Sequence, residues 1–406
     1  MMRRGGTPSP WIERAGCAAV WGYSAAHFIK TGVLFAMTNF FGDFLSNFPS
    51  GRIAAWCGRS DFYVGTLAER WNPIPSWGFG PVFHLVTLPL FAFPSLQEAY
   101  RIWLAVNAVL LLAAGGVLYR VAFPQRRTLA TLTLCGFAML NYYPLYEALI
   151  QRTIEIFEFL LVVTAMALYA RRRDAAAGSL VGCAAMTKFL PGILVPYFLL
   201  KRRWRAAGWA LAVIAALALL AQATLGWQHN FIVNYLLDGD IAYHGDLRTQ
   251  SVVGIVYRTL TSLGIQGSWI GIGKALIVCC AMALAWLMVR FRTRGEWTLE
   301  WSLLMVAMVM LLPHSQNYYL LFLLIPYTVL LGRLLEERLP AAWGVWWGAS
   351  FLLTGWPIPL SLMDRLLGRS FADLLFSYSI PGVGVALLVA LLVMALYKTA
   401  APVAEG

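Results

Sequence analysis

Apolar runs of about 20 residues recur along the whole chain, most of them bounded by a short cluster of arginine and lysine, and no other feature restricts the fold as tightly. A hydrocarbon core of about 30 Å requires roughly that many residues per helical span. Within lipid every backbone N–H and C=O must be satisfied by the protein itself, so the runs are helices; the strict alternation of an outer-membrane barrel is absent. Of the 406 residues, 60% are hydrophobic and 12% charged, with a mean hydropathy of +0.68, a balance outside the range of soluble domains. The expected fold is all-α: a polytopic membrane protein of about twelve transmembrane helices with large extracytoplasmic loops, both termini inside, and one domain over residues 1–406.

A net charge of +12 would point to nucleic acid in a soluble chain, but here it is distributed as topological charge. The basic residues gather at Arg3, Arg4 and Arg14, at Arg126 and Arg127, at Arg171 to Arg173, at Lys201 to Arg205, at Arg290 to Arg294, and at Arg333 and Arg338. By the positive-inside rule these are cytoplasmic, and the expected partner is the bilayer, not nucleic acid. No cleavable signal peptide is expected, since the first apolar run lacks a small-residue cleavage site and is interrupted by His27 and Lys30. Of six cysteines only Cys57 falls in an external loop, so neither a disulfide framework nor metal-ligand spacing is visible.

The first span, about 16 to 41, leads into the polar and aromatic stretch FFGDFLSNFPSGRIAAWCGRSDFY, which carries Asp43 and Asp61. A first extracytoplasmic loop is expected over 42–78 and a second over 227–251. The segment 79–93 is short and proline-rich, so a span, a re-entrant piece and an interfacial piece are all open. Between the basic clusters at Arg171 to Arg173 and Lys201 to Arg205 lie only 26 apolar residues, 175–200, too few to cross twice as full helices. Two half-helices meeting at Pro191 and Gly192 satisfy both ends and place Lys188 at a buried apex. Such a lysine is either a functional group or a snorkelling one. No internal repeat is apparent, which argues against most inverted-repeat transporters.

Five polar groups are expected at or near the outer face: Asp43, the stretch Gln151 to Glu158, Lys188, the loop Asp238 to Asp246, and His314. In one continuous helix Gln151, Glu155 and Glu158 share a face, and Arg152 pairs with Glu155; an interhelical structural network explains them equally well. The DGD at 238–240 resembles a metal-binding acidic pair of soluble glycosyltransferases, but an external loop meets no nucleotide sugar, so a solvated loop is the simpler reading and no metal is expected. His314 is either structural or a binding group beside Ser315, Gln316 and Asn317.

The order of these features resembles the integral-membrane glycosyltransferases of the GT-C superfamily, most closely glycosyltransferase family 87, of the polyprenyl-phosphate-dependent mannosyltransferase type. The residues carrying the resemblance are Asp43-Phe44 with Gly51-Arg52; Phe79-Gly80-Pro81, Pro89, Ala99 and Trp103; Gln151; Ala177, Gly178, Lys188 and Pro191; Arg202-Arg203-Trp204; and Pro313-His314-Ser315 with Tyr319. Ile150 and Tyr318 stand where the family pattern has glycine and histidine.

The resemblance implies inverting transfer of a sugar, mannose or another hexose or pentose, from a polyprenyl-phosphate donor to a lipid or glycan acceptor. The location implied is the outer side of a bacterial inner membrane, with no cofactor. A lipid-phosphate leaving group needs only one carboxylate, to deprotonate the acceptor hydroxyl. Asp43 is expected to be that base, with Asp61 in reserve. Lys188, His314 and Arg152 are expected to hold the donor phosphate, and Gln151, Glu155, Asn317 and Tyr319 to line the substrate. The rivals are a lipid or solute transporter or flippase without transferase chemistry, and a catalytically silent membrane scaffold.

Overall fold

The computed structural model describes residues 10–38, 81–87, 89–90, 93, 96–125, 127–151, 153–225, 249–265, 269–293, 296–312, 315–336, 338–356, 365–368 and 370–400. The loop expected over 42–78 lies outside them, as does the loop over 227–251 except for Thr249 to Ser251. In chain order the helices are α1 (Pro10–His27), which continues through a π-helical segment (Phe28–Leu34) to Thr38, α2 (Pro81–Thr87), α3 (Leu96–Ala122), α4 (Leu129–Leu140), α5 (Tyr143–Gln151), α6 (Glu155–Ala170) and α7 (Asp174–Ala185). They continue with α8 (Leu194–Leu200), α9 (Trp204–Leu225), α10 (Val252–Ser262), α11 (Trp269–Arg290), α12 (Trp297–Leu311), α13 (Leu324–Leu335), α14 (Trp343–Gly355), α15 (Phe371–Ser377) and α16 (Ile380–Ala400). The described residues hold no strand, only an isolated antiparallel bridge between Thr249 and Gln316.

Among the described residues, four helical stretches are long and apolar enough to cross a bilayer unaided: Gln97–Ala122, Gly271–Arg290, Asn317–Leu335 and Ile380–Thr399. The chain is an all-α membrane protein. Several runs that read as single spans are instead broken into shorter helices. The run 129–151 divides at Asn141 and Tyr142 because Pro144 lacks the N–H that would reach the Leu140 carbonyl; the Tyr146 hydroxyl donates to that carbonyl instead. In segment 79–93 the described residues include the seven-residue α2, whose Val82 N–H donates to the Met186 carbonyl at 3.3 Å and which packs on α9.

The stretch between the two basic clusters folds as a broken hairpin. α7 is 12 residues long, about 18 Å at 1.5 Å per residue, and ends at Met186; a 3-10 turn over Leu190–Ile193, with Pro191 in it, starts the return through α8. Both flanking turns have the same construction. Arg172 (φ 60°) and Arg202 (φ 56°) take the left-handed conformation just past α6 and α8. The N–H of Arg173 bonds Leu168 O at 3.0 Å and that of Arg203 bonds Phe198 O at 2.8 Å, which closes each helix end with a Schellman motif. Arg203 Nη1 then donates to both carboxylate oxygens of Asp174 at 3.1 Å, so the two turns lie side by side on one basic face.

Close backbone approach locks the hairpin to α9. A Cβ on Gly178 would lie 2.1 Å from Ala206 O, and one on Gly182 would lie 2.7 Å from Ala210 O, so glycine four residues apart faces alanine four residues apart. At the centre of the bundle the 3-10 run Asn317–Leu323 passes into α13, with every residue from Asn317 to Arg333 buried. Pro326 explains the change of winding: it has no N–H for the Phe322 carbonyl, so the regular α pattern starts only at Leu324.

Candidate functional site

Irregular backbone and buried polar side chains coincide in this fold. His27 immediately precedes the π-helical segment, Asn141 marks the α4–α5 break, and Glu155 opens α6 after the non-helical Thr153 and Ile154. Lys188 follows α7, and Asn317 and Tyr319 lie on the 3-10 run before α13. In a membrane protein, non-helical backbone is tolerated where it is enclosed by protein or lines a polar site.

The sequence places Gln151, Glu155 and Glu158 on one helical face, but the structure does not. The helix ends at Gln151, Thr153 N–H reaches back to Ala148 O at 3.2 Å, and a new helix begins at Glu155. Gln151 is half-buried at the end of α5, while Glu155 and Glu158 occupy the first turn of α6. There the positive end of the helix dipole favours their charge. With no proline or glycine in the stretch, nothing local announces this break.

Lys188, at the turn after α7, has Glu155 and Tyr319 among its polar partners. Its ammonium is ion-paired with Glu155 and donates to the Tyr319 hydroxyl at 2.6 Å, and it lies 4.5 Å from the Tyr319 ring centroid and 5.5 Å from that of Tyr318. Lys188 is 5% exposed and Glu155 not at all, so snorkelling to water is not what this lysine does. Glu155 stands 16 residues up α6 from the basic face, a depth of about 24 Å, and Lys188 lies at a comparable height above Asp174. α6 and the hairpin, joined at the basic face, thus meet again at Lys188.

Asn317 Nδ2 donates to Glu147 on α5, a carboxylate that the spacing of the sequence did not single out. The 315–317 segment is held from the other side as well. Gln250 N–H donates to Ser315 O at 2.7 Å, Thr249 bridges to Gln316, and Arg258 on α10 donates to Thr249 O at 2.7 Å and to Ser379 Oγ at 3.0 Å. A second polar cluster joins α1 to α4 and α5. His27 Nδ1 lies 3.1 Å from Asn141 Oδ1 and 2.8 Å from the Tyr146 hydroxyl, and Asn141 Nδ2 donates to Ser24 Oγ at 2.9 Å. Its signal in the sequence was His27 itself, noted there only as an interruption of an apolar run.

Of the expected site residues, Glu155, Lys188 and Tyr319 come together, Asn317 sits on the adjoining turn, and Gln151 ends the neighbouring helix. Asp43, Asp61, Arg152 and His314 lie outside the described residues, as does the loop Asp238 to Asp246. Among the described residues no three His, Cys, Asp or Glu side chains are grouped as metal ligands.

Residues 77–315, more than half of the chain, match the family pattern of Glycosyltransferase family 87. The chain belongs to glycosyltransferase family 87. No curated protein and no solved structure matches it. The family 87 match includes Gln151, Arg152, Glu155, Lys188 and His314; Asp43 and Asp61 precede it, and Asn317 and Tyr319 follow it. This member of the family is a membrane-embedded glycosyltransferase acting on glycan or lipid substrates.

Proposed function

We propose that the protein moves a sugar, mannose or another hexose or pentose, from a polyprenyl-phosphate donor to a lipid or glycan acceptor. Transfer takes place with inversion at the extracytoplasmic face of a bacterial inner membrane. About twelve helical segments of GT-C type build the single domain, with the loops 42–78 and 227–251 on the acceptor side. The observation that carries this reading is the buried ammonium of Lys188, set at a helix break inside the family-matched stretch and paired with Glu155.

A departing lipid phosphate leaves with developing negative charge, which a desolvated ammonium stabilises far better than a solvated one does. Lys188 supplies that charge, with Arg152 and His314 as its companions from the adjoining segments. The donor phosphate exchanges with Glu155 for the ammonium, so the free enzyme holds Lys188 neutralised in place. Asp43 takes the proton of the acceptor hydroxyl as it attacks the anomeric carbon from the face opposite the phosphate. Asp61 is the reserve acid of the same loop. No cofactor or metal enters this scheme.

The transporter and scaffold readings have no observation in their favour now that the chain is a family 87 member. The test is reconstitution of the purified protein in liposomes with polyprenyl-phosphate mannose or, in a parallel reaction, a nucleotide sugar, with mass spectrometry of the products. Transfer from the lipid-linked donor alone is expected; transfer from the nucleotide sugar alone would overturn the donor assignment.

A further inference from the structure

On the elements that meet at Lys188, four buried acceptor atoms lack a hydrogen-bond partner among the described residues, as do the Thr153 and Ser315 hydroxyls, which can donate as well as accept. The four acceptors are both carboxylate oxygens of Glu158, Oε2 of Glu155 and Oδ1 of Asn317. Glu155 and Glu158 are fully buried and Asn317 is 1% exposed. The assignment of Asn317 is fixed by its amide nitrogen, which donates to Glu147, so its oxygen is left as acceptor. An unfulfilled buried carboxylate costs far more than an unfulfilled amide, and Glu158, one helical turn from the Lys188-paired Glu155, has neither oxygen compensated.

The chemistry of what fits is narrow. A phosphate brings only acceptors and negative charge, which these oxygens repel. A polyol brings hydroxyl donors, each of which satisfies one orphaned oxygen. Resting on the donor reading above, we infer that Glu158, with Oε2 of Glu155 and Oδ1 of Asn317, forms the subsite that holds the hydroxyl groups of the donor's sugar ring. The phosphate of the same donor occupies Lys188 beside it. Hydroxyls between the phosphate and the carboxylates separate like charges that would otherwise face each other across the site. The arrangement divides labour between two elements: the lysine after α7 takes the charge of the donor, and the two glutamates of α6 read its sugar.

The experiment compares equilibrium binding, by tryptophan fluorescence of the full-length protein in detergent, of short-chain polyprenyl phosphate with that of the same lipid phosphate carrying mannose, glucose, galactose or arabinose. At least one sugar should tighten binding over the bare lipid phosphate. E158Q, which keeps the shape and loses the charge, should remove roughly 10- to 100-fold of that gain, the range for hydrogen bonds to a charged acceptor. Binding of the bare lipid phosphate should be unchanged, which also reports that the variant is folded; E158D, with its carboxylate withdrawn by one methylene, is the second variant and should lose part of the gain. If no sugar tightens binding, or E158Q leaves the gain intact or weakens both ligands equally, the subsite assignment fails. If the wild-type protein binds no bare lipid phosphate, the donor assignment fails instead.

Discussion

Arg203 holds both carboxylate oxygens of Asp174 at 3.1 Å from a single nitrogen and so closes the broken hairpin at its base. The guanidinium also covers the Tyr169 ring, 4.8 Å from its centroid. Each side chain of the pair is only 17% exposed, which lifts the interaction above the usual surface ion pair. Asp174→Asn and Arg203→Gln should each lower the thermal midpoint in detergent, with a coupling of about 1 kcal/mol in the double-mutant cycle. Strict additivity of the two losses would mean that the pair does not fasten the hairpin.

The Gly178 and Gly182 approaches to α9 predict severe effects from small changes. Gly178→Ala has no room, because the new Cβ falls on Ala206 O at 2.1 Å, and the cost of the backbone shift is about 2–3 kcal/mol or more. Gly116→Ala, where nothing lies within 4 Å, is the matched control and should be neutral or slightly stabilising. The yield of monodisperse protein after extraction separates the two outcomes.

Arg172 and Arg202 occupy positions that glycine would take at no steric cost. Arg202→Gly should therefore be more stable than Arg202→Ala by roughly 1 kcal/mol, although both lose the same charge. Equal midpoints for the two variants would show that the left-handed turn relaxes in the mutant.

Removing one partner of the Lys188–Glu155 pair leaves the other charge buried. Lys188→Met should destabilise by about 3–5 kcal/mol, and adding Glu155→Gln should recover much of that loss. Sugar transfer should stay absent in both variants, because stability returns and the phosphate-binding charge does not. Recovered activity in the double variant would remove Lys188 from the chemistry.

Asp43→Asn should abolish transfer from the lipid-linked donor while leaving expression and donor binding unchanged, as expected for a base that acts on the acceptor. Retained turnover would move the role to Asp61, and Asp61→Asn is the parallel measurement.

The hairpin was legible in the sequence because three independent signals agreed: basic clusters at both ends, an apolar length too short for two spans, and Pro191-Gly192 between them. Lys188 followed from the same reasoning. The break between Gln151 and Glu155 was not legible, since neither Thr153 nor Ile154 is a helix breaker and Lys188, the partner of Glu155, lies far away in sequence. Glu147 escaped notice for a related reason. A single carboxylate in an apolar run gives no spacing to read, and its partner Asn317 is 170 residues away. The interruptions at Pro144 and Pro326 were not read in advance, since each lies within a run whose apolar length suggests one continuous helix.

The broken hairpin also bears on how the protein is made. Neither α7 nor α8 is long enough to leave the insertion machinery as an independent span, and Lys188 opposes release into lipid on its own. Its counter-charge, Glu155, is synthesised earlier and waits at the head of α6, while the alanine surface that receives Gly178 and Gly182 is synthesised afterwards on α9. The hairpin therefore completes its burial only once α9 has emerged, and the Tyr319 hydroxyl that accepts from Lys188 is synthesised later still.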